Sequence, residues 1–334
     1  MVQDTFANLS TTALALRGFP GLEEVHGWIG IPIFSAYLAA VLGNSTILYI
    51  IRTEPSLHQP MYYFLAMLAT TDLGLCLATA PTVLGILWFQ VEKVSKEACV
   101  AQLFIIHSCS FMESAVLFAM ALDRFLAICS PLRYAALLNS SRVVRIGVVL
   151  LLRSTLLILP PVSLLLTFPY CPHAVLSHSY CLHQDMIRVA CADTTFNSLY
   201  ALTLILLTMG SDLLFILISY GLILRTVLGM ASDNQGHHKA LGTCVSHICA
   251  VLVFYVPVLG LSIVHRFGQH APALVHVIMG NVYILLPPLM NPIIYSIKTK
   301  QIYSRILRKY RFINIVPCTV EKQHFPSLMQ SYTS

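Results

Sequence analysis

Hydrophobic positions along the chain form seven near-continuous runs, from about Trp28 to Ile51, Met61 to Trp88, Cys99 to Cys129, Val143 to Phe168, Thr195 to Leu228, Ala240 to Val264 and Ala273 to Ile297. Each run carries few charges. About 20 apolar residues at ~1.5 Å rise cross the roughly 30 Å hydrocarbon core of a bilayer, so each run predicts a transmembrane helix. Barrel strands would show short alternating segments between polar turns instead. The predicted fold is an all-α membrane protein: a seven-helix bundle over residues 28–297, an outer segment over 1–27 and an inner tail over 298–334. Past the seventh run, Ile302, Ile306, Tyr310 and Ile313 recur at helical spacing among cations, which predicts a short amphipathic helix on the inner leaflet.

Composition agrees with a lipid solvent, with 57% hydrophobic and 10% charged residues in a chain of 334. That balance excludes soluble domains, disorder, collagen and small disulfide scaffolds. No short cleavable signal precedes the first run, which is expected to serve as an uncleaved anchor. Orientation follows from the loops. With the N-terminus outside, fourteen Lys and Arg fall on the inner side and five on the outer, while Arg153 lies within the fourth run. That asymmetry fits the positive-inside rule. The net charge of +6 is therefore mostly an inner-side bias and a poor argument for nucleic-acid binding, and no nucleic-acid partner is expected. It sets topology, and it also suits contact with anionic membrane lipids or a cytoplasmic partner.

The same topology sorts the modification sites. Of the three Asn-x-Ser/Thr sequences, at Asn8, Asn44 and Asn139, only Asn8 lies on an accessible outer segment and is a candidate glycan acceptor. Cys99, Cys171, Cys181 and Cys191 fall at the outer, oxidising face, where two disulfides can form in three connectivities. Cys76, Cys109, Cys244 and Cys249 read as small apolar packing residues, and Cys129 ends the third run. Cys318 follows the basic amphipathic stretch and is a candidate for palmitoylation, the alternative being an unmodified tail thiol.

Polar groups inside the runs are costly in lipid and carry the functional signal. Asp72 lies eleven residues from the inner start of the second run and Glu113 eleven from Arg124, which places both about 16 Å deep. Asn44 and Asn291 sit eight and seven residues from Arg52 and Lys298, so four helices contribute to one polar layer in the inner half. Two carboxylates there cannot both be ionised cheaply. One must hold a proton, or both must share a cation, with Na⁺ the candidate. The layer is then either an ion- or pH-sensitive switch or a static hydrogen-bonded lock. Below it, Glu113, Leu117, Met120 and Arg124 follow helical spacing, which turns Arg124 toward the bundle, with Asp123 beside it to hold the guanidinium at rest. Pro81, Pro160, Pro161, Pro257, Pro287, Pro288 and Pro292 add kinks where a rearrangement can pivot.

The outer half has a different chemistry. On the third run His107, Ser110, Phe111 and Ser114 form one stripe, and on the sixth Tyr255, Leu259, Ser262 and Arg266 form another. Together they describe an apolar cavity with a few polar groups, which is how small-ligand sites are built. Arg266 suits a carboxylate head group, or it snorkels to water, or it pairs with a loop acid such as Asp185. His107 is either a ligand contact or a hydrogen-bonded packing residue. No phosphate-binding loop, dinucleotide fingerprint, zinc-protease pair or nucleophile elbow is present in the sequence, so no enzyme is indicated and no cofactor beyond the candidate Na⁺. A transporter or channel would account for Asp72 and Glu113, but the seven runs show no inverted repeat.

Several segments together match one family. Gly43 and Asn44, LHQPMY over Leu57 to Tyr62, MALDRFLAICSPLRY over Met120 to Tyr134, KALGTCVSH over Lys239 to His247 and PPLMNPIIY over Pro287 to Tyr295 resemble the olfactory (odorant) receptors of the rhodopsin-like G-protein-coupled class. The likeness is to their class I, fish-like branch and spans about Phe19 to Ile313. Leu122, Phe125 and Ser296 depart from the family pattern, an aromatic, Tyr and Gly being usual there. The resemblance implies disulfides Cys99 to Cys181 and Cys171 to Cys191, and Tyr295 at the end of the PPLMNPIIY segment joins Asn44, Asp72, Glu113 and Asn291 in the candidate switch layer. It also implies that Asp123, Arg124 and Phe125 engage a heterotrimeric stimulatory, olfactory-type G protein to raise cAMP. The ligand is then a small odorant, often a carboxylic acid in this branch, and the location the plasma membrane of sensory cilia. A receptor for an endogenous metabolite or lipid acid elsewhere in the body is the alternative.

Overall fold

The computed structural model describes residues 13–172, 174–229, 234–267 and 271–298. Asn8, the 302–313 stretch and Cys318, expected as glycan site, inner-leaflet helix and acylation site, lie outside the described residues. In chain order the elements are β1 (Ala13–Ala15), α1 (His26–Thr53), α2 (Pro60–Phe89), β2 (Lys93–Ser95), α3 (Lys96–Cys129), α4 (Pro131–Leu137), α5 (Ser140–Thr167), α6 (His183–Arg188), α7 (Thr195–Gly229), α8 (Asn234–Phe267) and α9 (Ala273–Lys298). Seven of these, α1, α2, α3, α5, α7, α8 and α9, are long and apolar enough to cross a membrane. They correspond to the seven apolar runs.

The helix boundaries have local causes. Pro60 and Pro131 stand at the first turns of α2 and α4, where a missing N–H costs nothing. Ser95 caps α3 by accepting from Ala98 N at 3.2 Å, and Asn139 caps α5 by accepting from Arg142 N at 2.9 Å. α2 ends on Gln90 in the left-handed conformation (φ 54°). The short α4 and α6 and the strands were not anticipated, because each is too short to leave a periodic signal of its own.

α3 is the axis of the bundle. Buried positions make up 72% of its most apolar window, against 39% or less in the other spans. The outer helices turn apolar side chains to lipid instead, as Leu151, Leu152 and Leu156 do on α5 and Leu206, Leu207 and Leu214 on α7. Cys249, expected as a packing residue, is exposed, whereas Cys76 and Cys244 are buried. Lipid is as apolar as a protein interior, so hydrophobicity alone cannot say which way such a residue faces. α1 and α9 approach closely at Gly43, where a Cβ would come within 2.8 Å of Pro292 Cβ. A larger residue there would wedge the two helices apart.

A lid of chain covers the outer end. β1 pairs antiparallel with β2 (Ala13 to Ser95, Leu14 to Val94, Ala15 to Lys93), and Ala15 also bridges to Val175 of the loop between α5 and α7. Leu14 and Leu16 are buried under it. Cys99 of α3 is joined to Cys181 (Cα–Cα 5.4 Å) and Cys171 to Cys191 (5.2 Å), which ties the long outer loop to the top of the bundle. Crosslinks of this kind restrict the unfolded chain and hold a loop in place that has little core of its own.

Candidate functional site

Beneath this lid lies a cavity of about 290 Å³ between α3, α5, α7, α8 and α9, roofed by Leu182, His183 and Gln184. Its wall is mostly aliphatic and aromatic, with Ile158, Val162, Leu204 and Met209 among the contributors. His107, Phe111, Tyr255, Leu259, Ser262 and Arg266 all line it. Ser114 does not; it is completely buried under the floor and reaches the cavity only through Tyr255. Ser110 points elsewhere on α3, to Tyr283 Oη at 2.5 Å.

The polar groups of the wall sit at opposite ends. At the roof, His183 Nε2 meets Asn197 Oδ1 at 2.8 Å, while Asn197 Nδ2 donates to Pro161 O at 2.9 Å. Asn197 therefore offers only an acceptor, so the His183 proton is on Nε2 and its Nδ1 keeps a lone pair with no hydrogen-bond partner. Burial holds His183 below the ordinary imidazole range, with the bond to Asn197 opposing, so the ring is neutral. His107 stands edge-on to it, ring centroids 6.2 Å apart, and its Nε2 also lacks a partner. Arg266, at the outer end of α8, forms no ion pair among the described residues. The expected alternative partner, Asp185, is engaged elsewhere, accepting from His178 Nδ1 at 2.6 Å and from Ser177 N at 2.8 Å, with Arg188 at 3.4 Å. Burial alone would raise the Asp185 pKa, but these bonds and charges bring it below the usual carboxylate value.

The floor carries a relay that the sequence reading missed. Asp212 of α7 accepts from the Arg153 guanidinium of α5 in three contacts of 3.2 Å. Asp212 accepts only, so Ser114 Oγ donates to its Oδ2 at 2.9 Å and in turn accepts from Tyr255 Oη at 2.8 Å. Tyr255 Oη also stands 3.3 Å from Met209 O. Four helices meet in this chain: α5, α7, α3 and α8. A signal for it existed, because Asp212 is the single acid of the fifth run and Arg153 the one cation deep in the fourth.

The inner layer is assembled in part as expected. Asn291 Nδ2 lies 3.1 Å from Asp72 Oδ2 and 3.3 Å from Glu113 Oε1, so one amide spans both carboxylates. Asn44 is at the same depth but donates to backbone, to Ala40 O and Pro288 O at 2.9 Å each. Tyr295 Oη rests 3.9 Å from Met120 Sδ, one helical step further in. At the inner end, the expected resting pair of Asp123 with Arg124 is not formed. Asp123 is buried and accepts from Tyr134 Oη of α4 at 2.8 Å, whereas Arg124 lies against Met61. Neighbours on a helix are ~100° apart around its axis, so their side chains diverge. Phe125 packs with Ile223, Val227 and Cys244, joining α3 to α7 and α8.

Removing one member of the Arg153 and Asp212 pair leaves the other charge uncompensated in lipid. Arg153→Met should cost about 3 kcal/mol of stability, a typical loss on breaking a buried pair. The double variant R153M/D212N should recover most of it. Thermal unfolding of the detergent-purified receptor reads both; equal losses in the single and double variants would mean that the pair contributes nothing.

Comparison with known proteins bears on what this arrangement serves. The olfactory receptor family model matches residues 33–311. Human olfactory receptor 51G1 is 54% identical over 93% of this chain and 97% of its own length, and human olfactory receptor 51G2 is 57% identical over 91% and 96%. Mouse olfactory receptor 51E2 is 51% identical over 91% and 95%. In three dimensions, squid rhodopsin superposes with a TM-score of 0.70 at 17% identity, covering 90% of this chain and 88% of that one, which shows the seven-helix fold. The family match and these identities, over nearly the whole chain, make this protein a member of the olfactory receptor family.

Proposed function

We propose that this receptor binds a small odorant bearing a carboxylic acid in the outer cavity and that the bound acid drives a stimulatory, olfactory-type G protein to raise cAMP. As a family member it is a multi-pass plasma-membrane receptor, not an enzyme. The single observation that carries the ligand reading is the polarity of the cavity: an aliphatic chamber of about 290 Å³ with the Arg266 cation at its outer end. The guanidinium fork donates to both oxygens of a carboxylate, His183 Nδ1 accepts from a hydroxyl or a protonated acid, and the ligand's alkyl body replaces water along Val162, Leu204 and Met209.

The floor supports a route from ligand to G protein. A ligand body that presses on Tyr255 competes with its bond to Ser114, and that bond is what holds α8 against α3 at this level. Only a ligand with higher affinity for the released packing shifts the population toward it. Outward motion of the inner part of α8 then uncovers Arg124 and Phe125 for the G-protein α-subunit. Asp72 and Glu113 fit a resident Na⁺: Asn291 serves both, and Glu113 Oε2 is buried without a hydrogen-bond partner. An ion held between those two carboxylates would supply positive charge on α2 and α3 in the resting packing.

A cAMP reporter assay in transfected cells against short and medium carboxylic acids, with matched esters and alcohols, tests the ligand reading. Arg266→Ala should raise the half-effective concentration of acid agonists at least about tenfold, the value of one charge-assisted contact, and change alcohols little. Arg124→Ala should abolish the response to all ligands at normal surface expression. Equal responses of wild type and Arg266→Ala to acids would overturn the carboxylate reading. The ion is tested separately: replacing Na⁺ by a large organic cation in membranes should lower the half-effective concentration in wild type and leave Glu113→Gln unchanged. An equal shift in both would remove Na⁺ from this layer.

A further inference from the structure

Outside the ligand's polar contacts, three histidines from three elements converge at the roof of the bundle. One nitrogen each of His178 in the outer loop, His265 of α8 and His276 of α9 lies within 4.8 Å of the other two. His178 and His265 are stacked at 4.9 Å, and His276 stands edge-on to both, at 6.2 and 5.6 Å.

The first two rings are held with a defined nitrogen available. His178 is fully buried and donates from Nδ1 to Asp185 Oδ2 at 2.6 Å, which leaves the lone pair on Nε2. It fits there because position 280 of α9 is glycine: a Cβ would come within 2.5 Å of the ring. His265 donates from Nδ1 to Leu261 O at 2.9 Å, which again leaves Nε2. Both Nε2 atoms are buried without a hydrogen-bond partner. A carboxylate behind a histidine that presents its other nitrogen is the usual support of a metal-bound imidazole, fixing tautomer and raising basicity.

We propose that His178, His265 and His276 form a binding site for a borderline transition-metal cation, Zn²⁺ in the first instance. Three neutral imidazoles with no direct carboxylate select Zn²⁺ or Cu²⁺ over Mg²⁺ and Ca²⁺, and water completes a tetrahedron. Zn–N bonds of ~2.0–2.1 Å place tetrahedral ligands about 3.4 Å apart, so binding draws the three rings together by about 1.4 Å at most. The ion thereby ties the outer ends of α8 and α9 to the loop that roofs the ligand cavity, whose wall includes His265.

The test is Zn²⁺ titration of the purified full-length receptor in lipid nanodiscs, read by calorimetry and by melting temperature with zinc and with chelator. Wild type should bind one Zn²⁺ saturably and melt higher with zinc. His265→Ala and His276→Ala should each lose at least about tenfold in affinity and lose the zinc-dependent shift, each variant being compared with its own melting temperature in chelator. Asp185→Asn, which touches no metal, should weaken binding about tenfold through the His178 ring. His265→Cys restores a ligand atom and should regain binding with Cd²⁺ favoured over Zn²⁺. Zinc binding or a zinc melting shift undiminished in both alanine variants would overturn the site, as would the absence of saturable binding to wild type.

Discussion

A charge inside a membrane must find a partner within the protein, and that requirement organises this structure. Asp72, Glu113 and Asp212 are the acids deepest in the spans, and two arrangements satisfy them. Asp212 takes the Arg153 guanidinium across α5 and α7. Asp72 and Glu113 share the Asn291 amide between α2, α3 and α9. None of these contacts forms within a single helix, so each constrains how helices face one another. Apolar packing in lipid supplies no comparable orientation, since lipid tails satisfy a Leu as well as another helix does. These polar contacts thus constrain which sides of α2, α3, α5, α7 and α9 look inward.

Both sets of contacts run through α3, the most buried span. Ser114, just below the ligand cavity, belongs to the Asp212 relay; Glu113, the preceding residue, belongs to the inner layer. One turn of α3 therefore touches the floor of the cavity on one side and the inner polar layer on the other. In the proposed activation, this stretch of α3 is the shared element between Tyr255 and the Asp72 and Asn291 pair. The outer end is tied together by two disulfides, a strand pair and the His178 to Asp185 bond.

Much of this was legible in the sequence, for reasons tied to lipid. A span needs about 20 apolar residues, so the seven helices stand out as seven runs. Depth follows from counting, so the sequence alone places Asp72, Glu113 and Asn291 in one layer. Direction around the helix axis is harder to count across different helices. Asn44 has the right depth yet turns to backbone carbonyls, and Ser114 sits on the cavity stripe yet lies beneath its floor. Asp123 and Arg124 are adjacent in sequence and therefore diverge in space, each finding a partner on another helix. Arg153 and Asp212 carried a signal as isolated charges, but which residue each would meet depended on how α5 and α7 pack. The lid strands and α6 depend on disulfides and on contacts distant in sequence.

The central claim is that the Tyr255 to Ser114 bond at the cavity floor holds α8 against α3 in the resting packing. The most direct measurement is the distance distribution between spin labels at Val144 and Val245, exposed positions toward the inner parts of α5 and α8, in wild type and in Tyr255→Phe without ligand. Removal of one oxygen should add a second population at longer distance that wild type lacks. Identical distributions in the two proteins would contradict the claim.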